Sequence, residues 1–537
     1  DLDLFVAGTG DVNLLLENQG NGTFLDRAAV LGLSRKGANV QMAFADYDLD
    51  GDLDGYLVTN RKTGEPPLAA DVQVDAKFVN GEFLIEKKFR EKYNIVLHPT
   101  ERTRVVKAGE YDHLYRNDGA KFTDVSDAVG LRGTDQGLSA SWFDYDEDGY
   151  PDLYLANDFF GPDRLYHNQR NGTFAEVTRD ILPHVPWFSM GTDVADLNND
   201  GLLDLMGSDM AGSDHYKSKM GMGDMEKDSW FLTSSRPAQY MRNALYVNAG
   251  GGRFLEAAFL AGLANTDWTW SLKFADLDND GRIDLFGTNG MTNDQTNSDL
   301  VAHVEKLATS AEKAAYWRKQ PPRRDHNFVY RNLGNLRFAE VAASWGLDFL
   351  GVSYGAALAD FDADGDLDIA LASLEDPVRL YRNNSSSGHV LTIRLKGARR
   401  NSHGIGAKVT IETDDGIQVR YLNACQGYAS ANDPVLHFGM GEATRINRLT
   451  VRWPLGTMQT FEDLPVDRHF ILTEPKLQKK PSEVLDAIKH TVKHARKLCP
   501  NVEWSCEDAG RSEIDFLFQC IELAIDCGAE TINIPDT

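Results

Sequence analysis

The chain has 537 residues, 42% hydrophobic and 10% aromatic, which is enough apolar material for more than one core and too much length for a single ordinary one. Its formal charge of −26, from 81 acidic against 55 basic side chains, repels nucleic acid and anionic membrane and favours cations. No apolar run reaches the roughly 18 residues that span a bilayer as a helix. Cys425 is the one thiol before Cys499, Cys506, Cys520 and Cys527, so the main body has no disulfide framework and the composition changes abruptly near Pro481.

In chain order, Asp1-Leu2-Asp3 followed by Leu4, Phe5 and Val6 reads as the end of a unit that later recurs in full, so the start of that unit is expected upstream. The first complete copy places Asp46, Asp48, Asp50 and Asp54 at its first, third, fifth and ninth positions. The next copies offer Asp144, Asp146, Asp148 and Asp152, then Asp196, Asn198, Asp200 and Asp204. The last two offer Asp276, Asp278, Asp280 and Asp284, then Asp360, Asp362, Asp364 and Asp368. Glycine stands at the sixth position of every copy and a β-like run follows the ninth. Carboxylates at alternate positions converge when the chain curls, and the glycine permits the sharp turn, which is how a hard cation such as Ca²⁺ is caged by oxygens. One acid-rich turn is an ordinary solvated loop, but five with a single spelling point to about five structural Ca²⁺ sites. A strand after position nine, with no Glu at position twelve, separates the loop from an EF-hand. The third copy, with Asn198 in place of an acid, is expected to bind most weakly.

Downstream of each loop a second motif recurs. Leu165-Tyr166-His167-Asn168 leads to Phe174, Leu245-Tyr246-Val247-Asn248 to Phe254, and Tyr330-Arg331-Asn332 to Phe338. Tyr115-Arg116-Asn117 leads to Phe122 and Leu16-Glu17-Asn18 to Phe24, and Leu380 to Asn383 closes the series. An apolar strand, an Asn/Gly turn and an aromatic strand spell a β-hairpin. With the hairpin around the acid loop this gives about four strands per repeat, one propeller blade.

Three insertions interrupt the repeats. Residues 61–110 are highly charged, residues 211–240 carry Met220, Met222 and Met225 among glycines, and residues 298–319 read as one amphipathic helix on Leu300, Val304, Leu307, Ala311 and Ala315. Trp268 and Trp270 are expected to pack the propeller core or channel. From His389 the acid loops stop, and alternating strands separated by Gly/Asn/Asp turns make a small β domain to residue 475. A basic linker, 476–480, precedes an α-β-α-β run over 481–537. The fold expected is therefore mainly β: a propeller over 1–388, a β domain over 389–475 and a short α/β tail.

The loop spelling D-x-D-x-D-G-x-x-D with its Leu-Tyr-x-Asn and Gly-x-Phe hairpins resembles the FG-GAP/VCBS repeats of integrin-α-like β-propellers. Gly427 to Pro434, Leu436-His437-Phe438-Gly439 and Val451-Arg452-Trp453-Pro454 resemble the ASPIC/UnbV domain that follows such propellers in cartilage acidic protein-like and bacterial secreted proteins. The resemblance implies about seven blades, Ca²⁺ in the hairpin loops and an extracellular, periplasmic or cell-surface location. It also implies adhesion to, or binding of, a protein or glycan ligand. Trp504 to Arg511 and Thr531 to Thr537 resemble 2-isopropylmalate synthase, a TIM barrel of leucine biosynthesis that condenses acetyl-CoA with 2-oxoisovalerate. By that likeness Glu507 and Thr537 stand at substrate-pocket positions. The tail supplies only two of eight βα units and no His-x-His metal pair occurs in the chain, so no synthase activity is expected and no catalytic residue is assigned. The thirteen histidines are read as showing no metal-ligand spacing.

Overall fold

In the computed structural model the described residues are 2–61, 74–79, 82–89, 92–98, 102–131, 133–221, 237–385, 388–475, 481–505 and 514–534. Two compact units divide the chain, Asp1–Glu474 and Pro475–Thr537.

The first unit begins with six successive antiparallel sheets. The first holds Leu4–Val6, Leu14–Asn18 and Phe24–Asp26. The second holds Lys36–Ala45, Asp54–Thr59, His113–Asn117 and Phe122–Asp124, with Thr9–Val12 added at its inner edge. The third is Gln136–Phe143, Asp152–Asp158, Arg164–Asn168 and Phe174–Glu176. The fourth is Thr192–Ala195, Asp204–Gly207, Ala244–Asn248 and Phe254–Glu256. The fifth is Thr269–Ala275, Asp284–Asn289, Phe328–Asn332 and Phe338–Glu340. The sixth is Ser353–Ala359, Asp368–Ser373 and Arg379–Tyr381. The expected four strands per blade therefore hold for blades two to five. Blades one and six have three, and after Asn383 the sequence lacks the Gly-x-Phe that starts a fourth. The first strands of blades two to six lie in sequence beside one another, the inner wall of a propeller.

Burial explains why the middles of the second strands are apolar on both faces. In blade three, Leu153 and Leu155 pack with that blade's own Trp142 towards Tyr56 and Val58 of blade two. The intervening Tyr154 and Ala156 face the other way, against Leu205 and Tyr246 of blade four. Successive side chains point to opposite faces of a strand, and both faces of a blade are covered by its neighbours. Trp142 is fully enclosed, and its indole Nε1 donates to Ala43 O of the adjacent blade at 3.1 Å. Each such large side chain contributes about 1.5–3 kcal/mol of burial.

After the fourth strand, or its counterpart in blade one, a single helical turn returns the chain to the next blade, at Ala28–Leu31, Ser126–Val129, Ala258–Ala261 and Ala342–Trp345. Each ends on a left-handed glycine, Gly32, Gly130, Gly262 or Gly346, followed by leucine. The repeated Gly-Leu was the sequence signal for these turns. The 298–319 insertion is two helices rather than one, Ser298–Glu305 and Ser310–Trp317. The break is a capping box: Thr309 Oγ1 accepts from Glu312 N, and the Glu312 carboxylate accepts from Thr309 N, which restarts the helix. Trp270 packs with Tyr354 and Tyr428, ring centroids 5.0 Å apart in each case, in the interior position expected for it.

A buried acid or amide ties the second strand of a blade to the third. Asp112 Oδ1 accepts from Thr59 N at 2.7 Å and Asp163 Oδ1 from Asn157 N at 2.8 Å. Asn243 and Asn327 do the same from Asp209 N and Asn289 N. Burial pushes Asp112 up to about 8 and Asp163 up to about 7. Between the ordinary carboxylate value and these raised ones, the folded chain holds a proton that the unfolded chain has released. The stability from these groups is thus present at low pH and falls as pH rises through that window. Asp112→Asn, which borrows the amide of blades four and five, is expected to remove its share. Thermal melts at fixed Ca²⁺ should show the variant more stable than the native chain at pH 8, on the order of a few kcal/mol, and equal to it near pH 4. A variant less stable at pH 8 contradicts the assignment.

From His389 the chain forms two further sheets. His389–Lys396 pairs with Val435–Gly441 and, in parallel, with Arg468–Thr473. The other sheet orders Gly416–Tyr421, Lys408–Thr413, Arg445–Arg452 and Met458–Pro465. Leu391, Ile393, Val409, Ile411, Phe438, Val451 and Trp453 share one core. This β domain and the blades belong to one compact unit.

The second unit is the expected α-β-α-β run: Pro481–Leu498, Glu503–Ser505, Ile514–Asp526 and Thr531–Asn533. Its two strands pair in parallel, and Ile488, Val492, Val502, Cys520 and Ala524 form its core. No closed barrel is present among the described residues. Glu507 and Thr537 lie outside the described residues.

Candidate metal centres under the C-terminal β domain

Each acid loop joins the first strand of a blade to the second. The sixth-position glycine has φ between 86° and 101°, the left-handed region that favours glycine. The fourth position is also left-handed, although it is Leu49, Glu147, Asn199, Asn279 or Ala363. That second bend was not legible in the sequence, because no residue type marks it.

The backbone then holds the carboxylates in place. The glycine N–H donates to Oδ2 of the first aspartate in every copy, at 2.8–3.0 Å. The seventh-position N–H donates to the fifth-position carboxylate. The ninth aspartate accepts twice. Asp284 Oδ1 takes the N–H of Asn332 and Oδ2 that of Leu277, and Asp54, Asp152, Asp204 and Asp368 repeat the pattern. Asp3 accepts from Asn18 N at 2.8 Å, as a ninth-position residue should.

The asparagine that closes each Leu-Tyr-x-Asn motif is the link between blades. Asn168 Nδ2 donates to Tyr47 O, Asn248 to Tyr145 O, Asn332 to Leu197 O and Asn383 to Leu277 O, at 2.8–2.9 Å. Each acceptor is the second residue of the preceding blade's acid loop. The hairpin motif and the acid loop are therefore one device, which fastens the loops of blades two to five each to the blade that follows.

Carboxylate oxygens within 4.8 Å of one another gather in four loops: Asp46, Asp48 and Asp50; Asp144, Asp146 and Asp148; Asp276, Asp278 and Asp284; Asp360, Asp362 and Asp368. These four groups can hold a metal ion. The donors fit a hard cation, because every one is an oxygen and two remain unpaired. Asp48 Oδ1 and Asp144 Oδ1 are buried with no hydrogen-bond partner. Burial, with neighbouring carboxylates adding to it, pushes Asp46 up to about 7, Asp54 to about 9, Asp276 to about 7 and Asp284 to about 8. Asp196, Asp200 and Asp204 form no three-carboxylate group of this kind. There Asn198 Nδ2 donates to Asp200 Oδ2 at 2.8 Å. One residue missed by the sequence reading joins the second loop: His167, with Asp146 and Asp152.

The β domain sits on these loops. Arg399 donates to Asp50 O at 3.0 Å, Arg452 Nη2 to Asp144 Oδ2 at 2.7 Å, and Lys408 to Gly201 O at 2.7 Å. Gly441 N donates to Asn279 O at 2.8 Å, and His437 Nε2 lies 3.0 Å from Gly365 O. All five loops are touched. Arg420 is buried between Asp196 and Asp276: burial lowers its pKa and the two carboxylates oppose that. The segment 423–433 then enters the ring of inner strands. Ala429 N donates to Gln41 Oε1, Asn423 Nδ2 to Trp142 O, Gly427 N to Thr192 O and Tyr428 N to Ser271 Oγ. Leu358 N donates to Asn432 Oδ1. Blades two to six are each engaged by this plug, blades five and six twice, through Lys273 Nζ to Gln426 O and Asp433 N to Leu358 O as well; it includes the Gly-Tyr-Ala-Ser-Ala-Asn-Asp stretch noted in the sequence.

Family comparisons divide the chain in the same way. FG-GAP-like repeat models match residues 1–57, 144–206 and 223–287. The ASPIC and UnbV model matches residues 397–479. The chain joins FG-GAP-like repeats to an ASPIC and UnbV domain. An HMGL-like model matches residues 469–537. The tail is 56% identical over 73 residues to the 2-isopropylmalate synthase of Caulobacter vibrioides (strain NA1000 / CB15N), covering 13% of this chain and 14% of that protein. It is 56% identical over 64 residues to that of Prochlorococcus marinus (strain NATL1A), 12% of each. The chain thus spans about one-seventh of the length of these curated relatives. Among solved structures, an Agrocybe aegerita lectin described as recognising non-reducing terminal N-acetylglucosamine aligns at 15% identity and TM-score 0.29, over 72% of this chain and 91% of that one. The V. cholerae biofilm matrix protein Bap1 aligns at 10% identity and TM-score 0.28, over 81% and 60%.

Proposed function

We propose that the FG-GAP-like body is a Ca²⁺-stabilised propeller that serves as an adhesion or ligand-binding module outside the cytoplasm, at the cell surface, in the periplasm or in the extracellular space. What supports the metal is the repetition of one loop geometry, with the same glycine and ninth-aspartate hydrogen bonds in five loops and carboxylates gathered in four of them. Converging carboxylates in a flexible loop favour Ca²⁺ over Mg²⁺, which keeps its waters. The ions neutralise the loops and hold the blades together; no nucleophile or base recurs beside them, so the role is structural.

Ligand binding is assigned to the opposite ends of the blades. Strands within a blade are antiparallel, so the connections from second to third strand emerge away from the acid loops. The described residues at the bases of the long ones, 60–61 with 102–112, 208–221 with 237–243, and 290–327, lie at that end. Part of this surface is fixed: Lys217, in the helix His215–Met220, lies 3.3 Å from Asp325 of the next long connection and also pairs with Asp267. An extracellular protein or a glycan is the expected ligand. Glycan and matrix-protein arrays probed with the full chain should give binding that survives in Ca²⁺ and disappears with chelation. No binding above background in either array would remove this reading.

The tail is read as a fragment without synthase activity. Incubation with acetyl-CoA and 2-oxoisovalerate is expected to release no thiol, and turnover would overturn that reading.

A further inference from the structure

The residue before the linking asparagine differs in kind from blade to blade. It is Arg116, His167, Val247, Arg331 or Arg382 in blades two to six. From this position a side chain reaches the loop acids. Arg331 Nε lies 2.6 Å from Asp278 Oδ2, and Arg382 Nη1 lies 3.4 Å from Asp362 Oδ2. In blade three an imidazole takes that place. His167 Nδ1 is 3.0 Å from Asp152 Oδ1 and 3.8 Å from Asp146 Oδ2, and the three ligand atoms lie within 4.8 Å of one another. The Tyr145 ring packs edge-on against the imidazole, centroids 5.7 Å apart, and fixes its plane. In the same loop Asp144 Oδ1 is buried with no hydrogen-bond partner, on a side chain 4% exposed.

We infer that this loop is a site for a borderline transition metal of the Zn²⁺ class, whereas the other loops take Ca²⁺. Ca²⁺ selects oxygen donors, and a nitrogen donor from imidazole adds little to its binding. Zn²⁺ gains from one imidazole combined with carboxylates, at an otherwise similar cage. Asp146, Asp152 and His167 supply the donors, and Asp144 gathers with the same Asp146. The inference rests on the loops being cation sites, and its test separates the two claims.

The full chain, stripped with chelator and then dialysed in millimolar Ca²⁺, is titrated with Zn²⁺, and both metals are counted by atomic emission. Native protein should bind one Zn²⁺ more than H167R, which carries the residue of three other blades, and should release one Ca²⁺ as it does so. H167V, after Val247, repeats the test if H167R folds poorly. The difference between native and variant cancels binding by tail residues such as His490 and His494. Loaded with Co²⁺, native protein should show visible absorption of a nitrogen-ligated ion that the variants lack. Equal Zn²⁺ uptake by native and variant chains overturns the transition-metal site while retained Ca²⁺ leaves the loops standing. Absence of both metals overturns both.

Discussion

Chelation of Ca²⁺ is expected to lower the melting temperature by on the order of 10 °C or more, in one transition shared by the blades and the β domain. A ligand at about 100 times its Kd contributes roughly 2.7 kcal/mol per site, and native stability is typically only about 5–15 kcal/mol. With several sites, loss of the ions removes much of the margin. The loss should not stay local. The first four loops are each fastened to the next blade by an asparagine, and all five are touched by the β domain through Arg399, Arg452, Lys408, Gly441 or His437. Carboxylates left without cations repel one another directly beneath that domain. Intrinsic fluorescence follows the blades through Trp142 and the β domain through Trp453, both buried. Two well-separated transitions, or a melting curve unmoved by chelator, would contradict the coupling.

Gly427→Ala is expected to be strongly destabilising without touching a metal ligand. Gly427 has φ +71°, and a Cβ there would lie 2.1 Å from Ser271 Oγ and 2.9 Å from Leu272 O, in the inner strand of blade five. The plug cannot shift away cheaply, because its neighbours are pinned to blades two, three, four and six. Overpacking and the left-handed backbone together should cost about 2–4 kcal/mol. Gly456→Ala is the control: its φ is +83° but nothing lies within 4 Å of an added Cβ. Chemical denaturation of the two variants separates the terms. Equal losses in both would mean that the plug packs no more tightly than a surface turn.

How much of this could be read from the sequence follows from how local each feature is. The acid loops were legible because Asp360 to Asp368 carries its whole chemistry within nine residues. The hairpins were legible because turn residues and aromatic strands are neighbours in the chain. Their connection was not, because it crosses blades: Asn168 reaches Tyr47 over 121 positions. The seating of the β domain was still further from view, since Arg452 and Asp144 are 308 positions apart. Charge composition alone gave no means of pairing those two. His167 was overlooked for a different reason. It has no second histidine at ligand spacing and instead joins Asp146 and Asp152, acids that lie 21 and 15 positions before it. The helix break at Thr309 was present in the sequence as Thr-x-x-Glu and was outweighed by the apolar spacing around it.

The central claim, that the loops are Ca²⁺ sites built to one plan, is tested most directly by counting ions. Equilibrium dialysis against ⁴⁵Ca²⁺ in zinc-free buffer should give about five bound per native chain, and one fewer in Asp276→Ala. A native chain that binds none, or an Asp276→Ala chain that folds and binds as many as the native one, would contradict it.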